Sequence, residues 1–300
     1  MSQLSGKYLF VINPIAGDTD KSQLPEQIHK TCEKYAVAFD KIETTGEDDQ
    51  QTIRETIDSF APDTVVACGG DGTISLVAKL LLNTDITLGI IPLGSANGLA
   101  SELNITYSPD ADIDYLFAGE TRAMDSITIN GEHLCLHLSD LGFNARLIKD
   151  FEEQEGRGML GYARAFFESL KKKESRQYII KSDQNKEPKQ VEADMLVIAN
   201  ARSYGTGAVI NPKGSISDGF MELVIVKPIP PSAWPSITFD TFFGSIEKSE
   251  YVQIIKGTSF EITCDEQEVL QVDGELIGKR SKVTAHMQKH ALHIIIPGGT

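Results

Sequence analysis

Nine residues constrain this chain more than any others: Val65-Val66-Ala67-Cys68-Gly69-Gly70-Asp71-Gly72-Thr73. An apolar run enters three glycines around one carboxylate, and a threonine then opens the helical pattern Ile74, Leu76, Val77, Leu80, Leu81. A strand–turn–helix junction of this kind presents backbone N–H groups and the positive end of a helix dipole at one point, which suits a phosphate. Gly69, Gly70 and Gly72 permit positive φ and close backbone approach. Asp71 beside phosphates makes electrostatic sense with a cation such as Mg²⁺ between them. Gly-Asp-Gly by itself is also ordinary turn chemistry.

The flanking sequence gives that junction company. The run Lys7-Tyr8-Leu9-Phe10-Val11-Ile12 reads as a central strand and stops at Asn13-Pro14-Ile15-Ala16-Gly17, because Pro14 cannot donate to a ladder. Helical spacing follows at Leu24, Ile28 and Cys32, a strand is expected over 36–40, and Thr44-Thr45-Gly46 ends it. A helix is expected over 51–60, and another strand over 86–91 runs into Pro92-Leu93-Gly94-Ser95-Ala96-Asn97-Gly98. Such alternation predicts a parallel α/β sheet, in which ligands bind at the carboxyl ends of the strands. The candidate nucleotide residues therefore fall on one sheet edge: Asn13, Pro14, Gly17, Thr44, Thr45, Gly69, Gly70, Asp71, Gly72, Thr73, Ser95 and Asn97. Ser95 and Asn97 could equally cap a helix.

Beyond Arg122 the pattern changes to short strands. Segments 126–129 and 133–138 flank Asn130-Gly131, a hairpin signal. A helical stretch is expected over 161–170, and strands over 178–181, 195–200, 221–226, 253–255, 260–263, 269–272, 282–285 and 292–296. This half reads as an antiparallel β sandwich with one helix.

Asn-Pro-x-Ala-Gly, Gly-Gly-Asp-Gly-Thr and Pro-Leu-Gly-Ser-x-Asn, in this order, resemble the diacylglycerol kinase catalytic family, which includes bacterial lipid kinases and sphingosine kinases. The likeness covers almost the whole chain. It implies an NAD kinase-like α/β domain over 1–124, to which 290–300 return, and a β-sandwich lipid-substrate domain over 125–289. It further implies an ATP- and Mg²⁺-dependent lipid kinase of phospholipid metabolism, acting on a diacylglycerol-like or sphingoid hydroxyl. By resemblance the Asp273-Gly274-Glu275 segment faces the nucleotide loops, with Glu275 as general base, Asp273 beside it and Asp71 as rival base. The bland reading of Asp-Gly there is a hairpin turn.

Asp125, within Arg122-Ala123-Met124-Asp125, resembles a residue that helps hold the catalytic metal, with an interdomain salt bridge as the alternative. The segment 215–220 resembles one that binds a structural Mg²⁺ through Asp218 and the carbonyls of Ser215 and Phe220. One departure stands out: many bacterial members have Asn-Asp where this chain has Asn97-Gly98. That loss leaves open a catalytically weakened nucleotide- or lipid-binding regulator. NAD kinase shares the Gly-Gly-Asp-Gly loop, but its further glycine-rich motifs are not found.

A net charge of −15 argues against general nucleic-acid binding. Cys32, Cys68, Cys135 and Cys264 are far apart and mostly within apolar runs, as reduced core residues are. A polar start leading into a strand, without a long apolar segment, predicts a cytoplasmic protein that meets its lipid peripherally. Local basic residues Arg157, Arg164, Lys171, Lys172, Lys173, Arg176 and Lys181, near Phe166 and Phe167, could contact an anionic surface or form a solvated helix face. Trp234 could dip into that interface or anchor a loop. Homodimerisation stays open.

Overall fold

The structure, a computed structural model, describes residues 6–17, 20–108, 112–142, 175–204, 208–233, 236–237, 240–241 and 246–298. Two compact units divide the chain, Met1–Met124 with His290–Thr300, and Asp125–Lys289. The helix expected over 161–170, the basic residues Arg157, Arg164 and Lys171 to Lys173, the Phe166–Phe167 pair and Trp234 all lie outside the described residues.

The first unit is α/β. Strands β1 (Lys7–Ile12), β2 (Ala38–Glu43), β3 (Thr64–Gly69) and β4 (Thr87–Pro92) run parallel in the order β4-β3-β1-β2. Every β3 residue is buried, as a central parallel strand covered on both faces requires. Polar β2 stands at the edge, where half-exposed residues are tolerated. A fifth parallel strand comes from the far end of β14 (Glu275–Ile296), with His293 opposite Thr87 and Ile294 opposite Leu88.

Helices α1 (Leu24–Tyr35), α2 (Asp49–Phe60) and α3 (Asp71–Leu81) connect these strands, followed by short α4 (Gly98–Glu102) and α5 (Tyr115–Ala118). Leu24, Ile28 and Cys32 of α1 pack on Phe10, Ile12, Val66 and Cys68. Truncating a side chain as buried as Phe10 would cost about 3–5 kcal/mol. The strand expected over 36–40 begins at Ala38 instead, because Ala36, at φ 54°, closes α1 by donating its N–H to the Glu33 carbonyl.

Antiparallel strands build the second unit, a β sandwich: β5 (Glu120–Ile129), β6 (His133–Cys135), β7 (Leu138–Leu141), β8 (Arg176–Ser182), β9 (Asn185–Ala193), β10 (Met195–Ala199), β11 (Met221–Val226), β12 (Val252–Gly257), β13 (Ser259–Val272) and β14. The longest path of pairing is β12-β11-β10-β7-β13-β14. In β10, Leu196 and Ile198 enter one core, whereas Met195, Val197 and Ala199 enter another. Both faces are covered, which is why that run is continuously apolar.

Several expected strands merge or split. Segments 260–263 and 269–272 form the single strand β13, with a register shift between Thr263 and Glu268; 282–285 and 292–296 both belong to β14. The expected strand 133–138 breaks at Leu136 and His137, whose amides leave the ladder for the Asp273 carboxylate. Arg176 and Lys181 are engaged with carboxylates, Arg176 with Glu266 and Glu268 and Lys181 with Glu261. All four cysteines are free and buried; burial pushes the Cys32 thiol up to about 12. Among the described residues no helix is long and apolar enough to cross a membrane.

Candidate active site

The carboxyl ends of four parallel strands are stitched together by backbone bonds. Asn13 N–H donates to Cys68 C=O at 2.8 Å, Thr44 N–H to Ile12 C=O at 2.9 Å, and Leu93 N–H to Gly69 C=O at 2.9 Å. Three glycines interlock above them. A Cβ on Gly17, which sits at φ 53°, would lie 2.2 Å from the Leu93 carbonyl oxygen, and one on Gly94 would lie 2.6 Å from Gly70 Cα. No side chain fits at these approaches. Gly69 acts differently, because its missing Cβ leaves room for the Thr73 side chain. The Thr73 Oγ1 would lie 2.3 Å from such a Cβ, and it accepts the Asn13 side-chain amide at 3.1 Å.

The loops enclose a cleft of about 270 Å³ lined by Asn13, Gly17, Thr44, Gly70, Gly72 and Thr73, together with Ala16, Asp49, Leu76 and Gly94. Among the described residues no lysine or arginine is in this lining. An anion there would rely on backbone amides, the N-terminus of α3 and any cation it brings. Asp49 and Leu76 carry no sequence signal of their own; Asp49 reaches the cleft while accepting the amides of Thr45 at 2.7 Å and Gly46 at 2.9 Å.

Not every expected nucleotide residue lines the cleft. Pro14 and Ser95 are exposed and outside it, and Thr45 turns its hydroxyl onto the Glu47 carbonyl within its own loop. Asn97 stands at the N-cap of α4, but its side chain bonds no α4 amide and does not line the cleft. Its amide clamps Gly94 from both sides, accepting the Gly94 N–H at 2.9 Å and donating to the Gly94 C=O at 2.6 Å. Asp71, between two lining glycines, accepts the amides of Gly98 at 3.0 Å and Leu99 at 3.4 Å. A magnesium ion usually takes one or two carboxylates and completes its shell with phosphates and water; Asp71, outside the lining itself, is the carboxylate set between lining Gly70 and Gly72 that could serve one.

In the second unit, Asp273 and Gly274, at φ 46° and φ 90°, form the two-residue turn between β13 and β14, with Val272 opposite Glu275. The Asp273 carboxylate accepts three amides, from Leu136 at 2.7 Å, His137 at 2.9 Å and Leu138 at 3.1 Å. Burial pushes its pKa up, against the opposing pull of the Leu136 and His137 amides. Its oxygens are committed to the fold, whereas Glu275 beside it is exposed. Asp125 is fully buried; its Oδ2 accepts the Gly219 amide at 2.6 Å, and its own N–H donates to the Ile216 carbonyl.

Asp218 Oδ2 lies 2.6 Å from Lys256 Nζ, and its Oδ1 accepts the Phe220 amide at 3.0 Å. The pairing with Asp218 raises the Lys256 pKa, and burial raises that of nearby Glu222. Ser215 contributes a weak 3.5 Å acceptor to the Ser217 amide. The Asp218 carboxylate that the expected structural Mg²⁺ would need is thus already taken up by an ammonium and an amide. Among the described residues no three His, Cys, Asp or Glu side chains gather as metal ligands.

A glycine-interlocked cleft at the carboxyl ends of a parallel α/β sheet, followed in the same chain by a β sandwich, is the architecture of the NAD kinase-like fold class. The diacylglycerol kinase catalytic domain matches residues 7–129, and the YegS C-terminal NAD kinase beta sandwich-like domain matches residues 140–296. The chain belongs to the diacylglycerol kinase catalytic-domain family. "Probable lipid kinase YegS-like" of Yersinia enterocolitica is 30% identical over 235 residues, covering 75% of this chain and 76% of that protein. "Uncharacterized protein sll0036" of Synechocystis is 27% identical over 295 residues, and the match spans 65% of its length. A solved structure described as a diacylglycerol kinase from Bacillus anthracis shares the fold, with a TM-score of 0.73, 18% identity and 97% of each chain covered.

Proposed function

We propose that this chain is an ATP- and magnesium-dependent lipid kinase that transfers the γ-phosphate to a hydroxyl of a diacylglycerol-like or sphingoid lipid. The observation that supports this most is the interlock of Gly17, Gly70 and Gly94 around the cleft. At about 270 Å³ the cleft is smaller than the roughly 300–1,000 Å³ of drug-sized ligand sites, which suits a polyphosphate whose nucleoside extends beyond it.

In this reading the amides of Gly70, Gly72 and Thr73 bind phosphate oxygens, and Asn13 orients the Thr73 hydroxyl. Asp71 holds the magnesium, which supplies neutralisation of the phosphate charge when bound. Glu275 accepts the proton of the lipid hydroxyl as its oxygen bonds to the γ-phosphorus and ADP leaves with the broken bond's electrons. Asp273 fixes the turn from which Glu275 projects rather than taking the proton itself. A lipid acceptor brings the chain to a membrane surface peripherally, from the cytoplasm.

A second reading, a nucleotide- or lipid-binding regulator with weakened turnover, draws on Gly98, which gives Asp71 an amide and no carboxylate. Incubation with labelled ATP, Mg²⁺ and mixed micelles of diacylglycerol, monoacylglycerol, sphingosine, ceramide and phosphatidylglycerol, followed by separation of the lipids, decides between the two. One labelled lipid that disappears with Asp71→Asn supports the kinase. ATP binding without any labelled lipid supports the regulator.

A further inference from the structure

Lys256 lies on β12 directly opposite Glu222 of β11 in the antiparallel register. Its ammonium reaches past that partner, 3.4 Å from Glu222 Oε1, to sit 2.6 Å from Asp218 Oδ2. The same nitrogen lies 4.9 Å from the centroid of the Phe220 ring, and Lys289 Nζ lies 5.1 Å from that centroid. Glu222 is 4% exposed, and its other oxygen accepts the buried Asn211 amide at 2.8 Å. The loop from 215 to 220 is thus held at two points: Asp125 takes the Gly219 amide and the Ile216 carbonyl, and Lys256 takes Asp218 and faces Phe220.

The resemblance gives this loop a structural magnesium, bonded to Asp218 and to the carbonyls of Ser215 and Phe220. Such an ion requires near-octahedral oxygens at about 2.0–2.1 Å. Any ion at that distance from Asp218 would share the carboxylate with an ammonium already in contact with it, and like charges so close repel strongly. The loop has a second anchor besides the ammonium, since Asp125 accepts its Gly219 amide, and Glu222 lies beside the same ammonium.

We propose that Lys256 is the resident cation of the 215–220 loop, its ammonium paired with the Asp218 carboxylate that a structural metal would need, so that this loop is ordered without a divalent ion. The proposal is independent of the kinase reading, since it concerns the second unit's own residues.

Hydrogen exchange of the full chain, followed on peptides spanning 212–222, tests it with EDTA and with excess MgCl₂. The wild type should show the same protection of these peptides in both conditions. Lys256→Met should exchange there about tenfold faster or more in EDTA and regain protection with MgCl₂, which can now reach the vacated carboxylates. Lys256→Arg should stay protected and indifferent to EDTA. Loss of wild-type protection in EDTA, restored by MgCl₂, would overturn the proposal, as would a Lys256→Met chain whose 212–222 peptides are unchanged. Should Lys256→Met fail to fold, the wild-type and Lys256→Arg arms decide alone. Changes confined to peptides around 69–76 report the Asp71 region and leave the 212–222 readout separate.

Discussion

The amide of Gly98 donates a 3.0 Å hydrogen bond to the carboxylate of Asp71, joining residues 27 positions apart. Asp71 opens α3 and at the same time takes two free amides at the start of α4. The loop before α4 and the Gly-Gly-Asp-Gly turn therefore form one unit before any ligand arrives.

Asp71→Asn keeps one acceptor oxygen for those amides, so the change should cost about 1 kcal/mol of stability or less. Lipid phosphorylation should nonetheless fall by about a hundredfold or more. Asp71→Ala leaves both amides without that partner and should cost about 1–3 kcal/mol as well. Thermal melts and labelled-phosphate transfer on the two variants separate the effects; a full rate with Asp71→Asn would sink the kinase assignment.

Gly94→Ala places a methyl 2.6 Å from Gly70 Cα, a backbone neighbour that no rotamer change can relieve. We expect adenine nucleotide affinity to fall about tenfold or more, by analogy with other small displacements of positioned groups. Gly131→Ala is the control: its added methyl meets nothing within 4 Å, and its φ of 76° should cost about 1–2 kcal/mol with nucleotide affinity unchanged. Calorimetric titration with ADP measures both.

Asp273 and Glu275 should behave oppositely despite their proximity. Glu275→Gln, at an exposed position, should stay within about 0.5 kcal/mol of wild type while kcat drops about a hundredfold or more. Asp273→Ala should destabilise by about 1–3 kcal/mol or more, because the Leu136, His137 and Leu138 amides lose their acceptor. Equal kcat losses with no change in melting temperature for both variants would contradict this division of labour.

Acid stability offers a test on Asp183, which accepts the Thr258 amide at 2.9 Å and the Ser259 amide at 3.1 Å. Burial alone would raise its pKa, but these bonds outweigh it and hold the carboxyl at about 2. With the folded value below the ordinary 3.8, the stabilisation is complete above that pH and is lost as pH falls from about 4 to about 2. Asp183→Asn should lower the melting temperature at neutral pH and flatten that acid limb. Parallel wild-type and variant curves down to pH 2 would show that the carboxylate contributes nothing.

Strands such as β1, β3, β4, β10 and β11 were legible because burial on both faces demands unbroken apolar runs. Strand β9 was not, since Asn185–Ala193 is mostly polar and charged and contains Pro188. Among the described residues it pairs with β8 alone, and such an edge position selects for polarity rather than for a pattern. The long strands β13 and β14 read as fragments, because charged residues occupy their exposed stretches. Among the site residues, glycines that touch backbone announced themselves. Asp49 and Leu76 reach the cleft through tertiary packing, and the Lys256–Asp218 pair depends on a strand register that no local spacing encodes.

Strand β14 gives its residues up to Lys289 to the second unit and those from His290 onward to the first. During synthesis on a ribosome, the first unit's other strands emerge long before the segment that pairs with β4. Until then Thr87 and Leu88 of β4 lack the partners that His293 and Ile294 supply, and that end of the strand is an open edge. Nonsense mutations that remove 290–296 should therefore leave a product that aggregates more readily than the full chain.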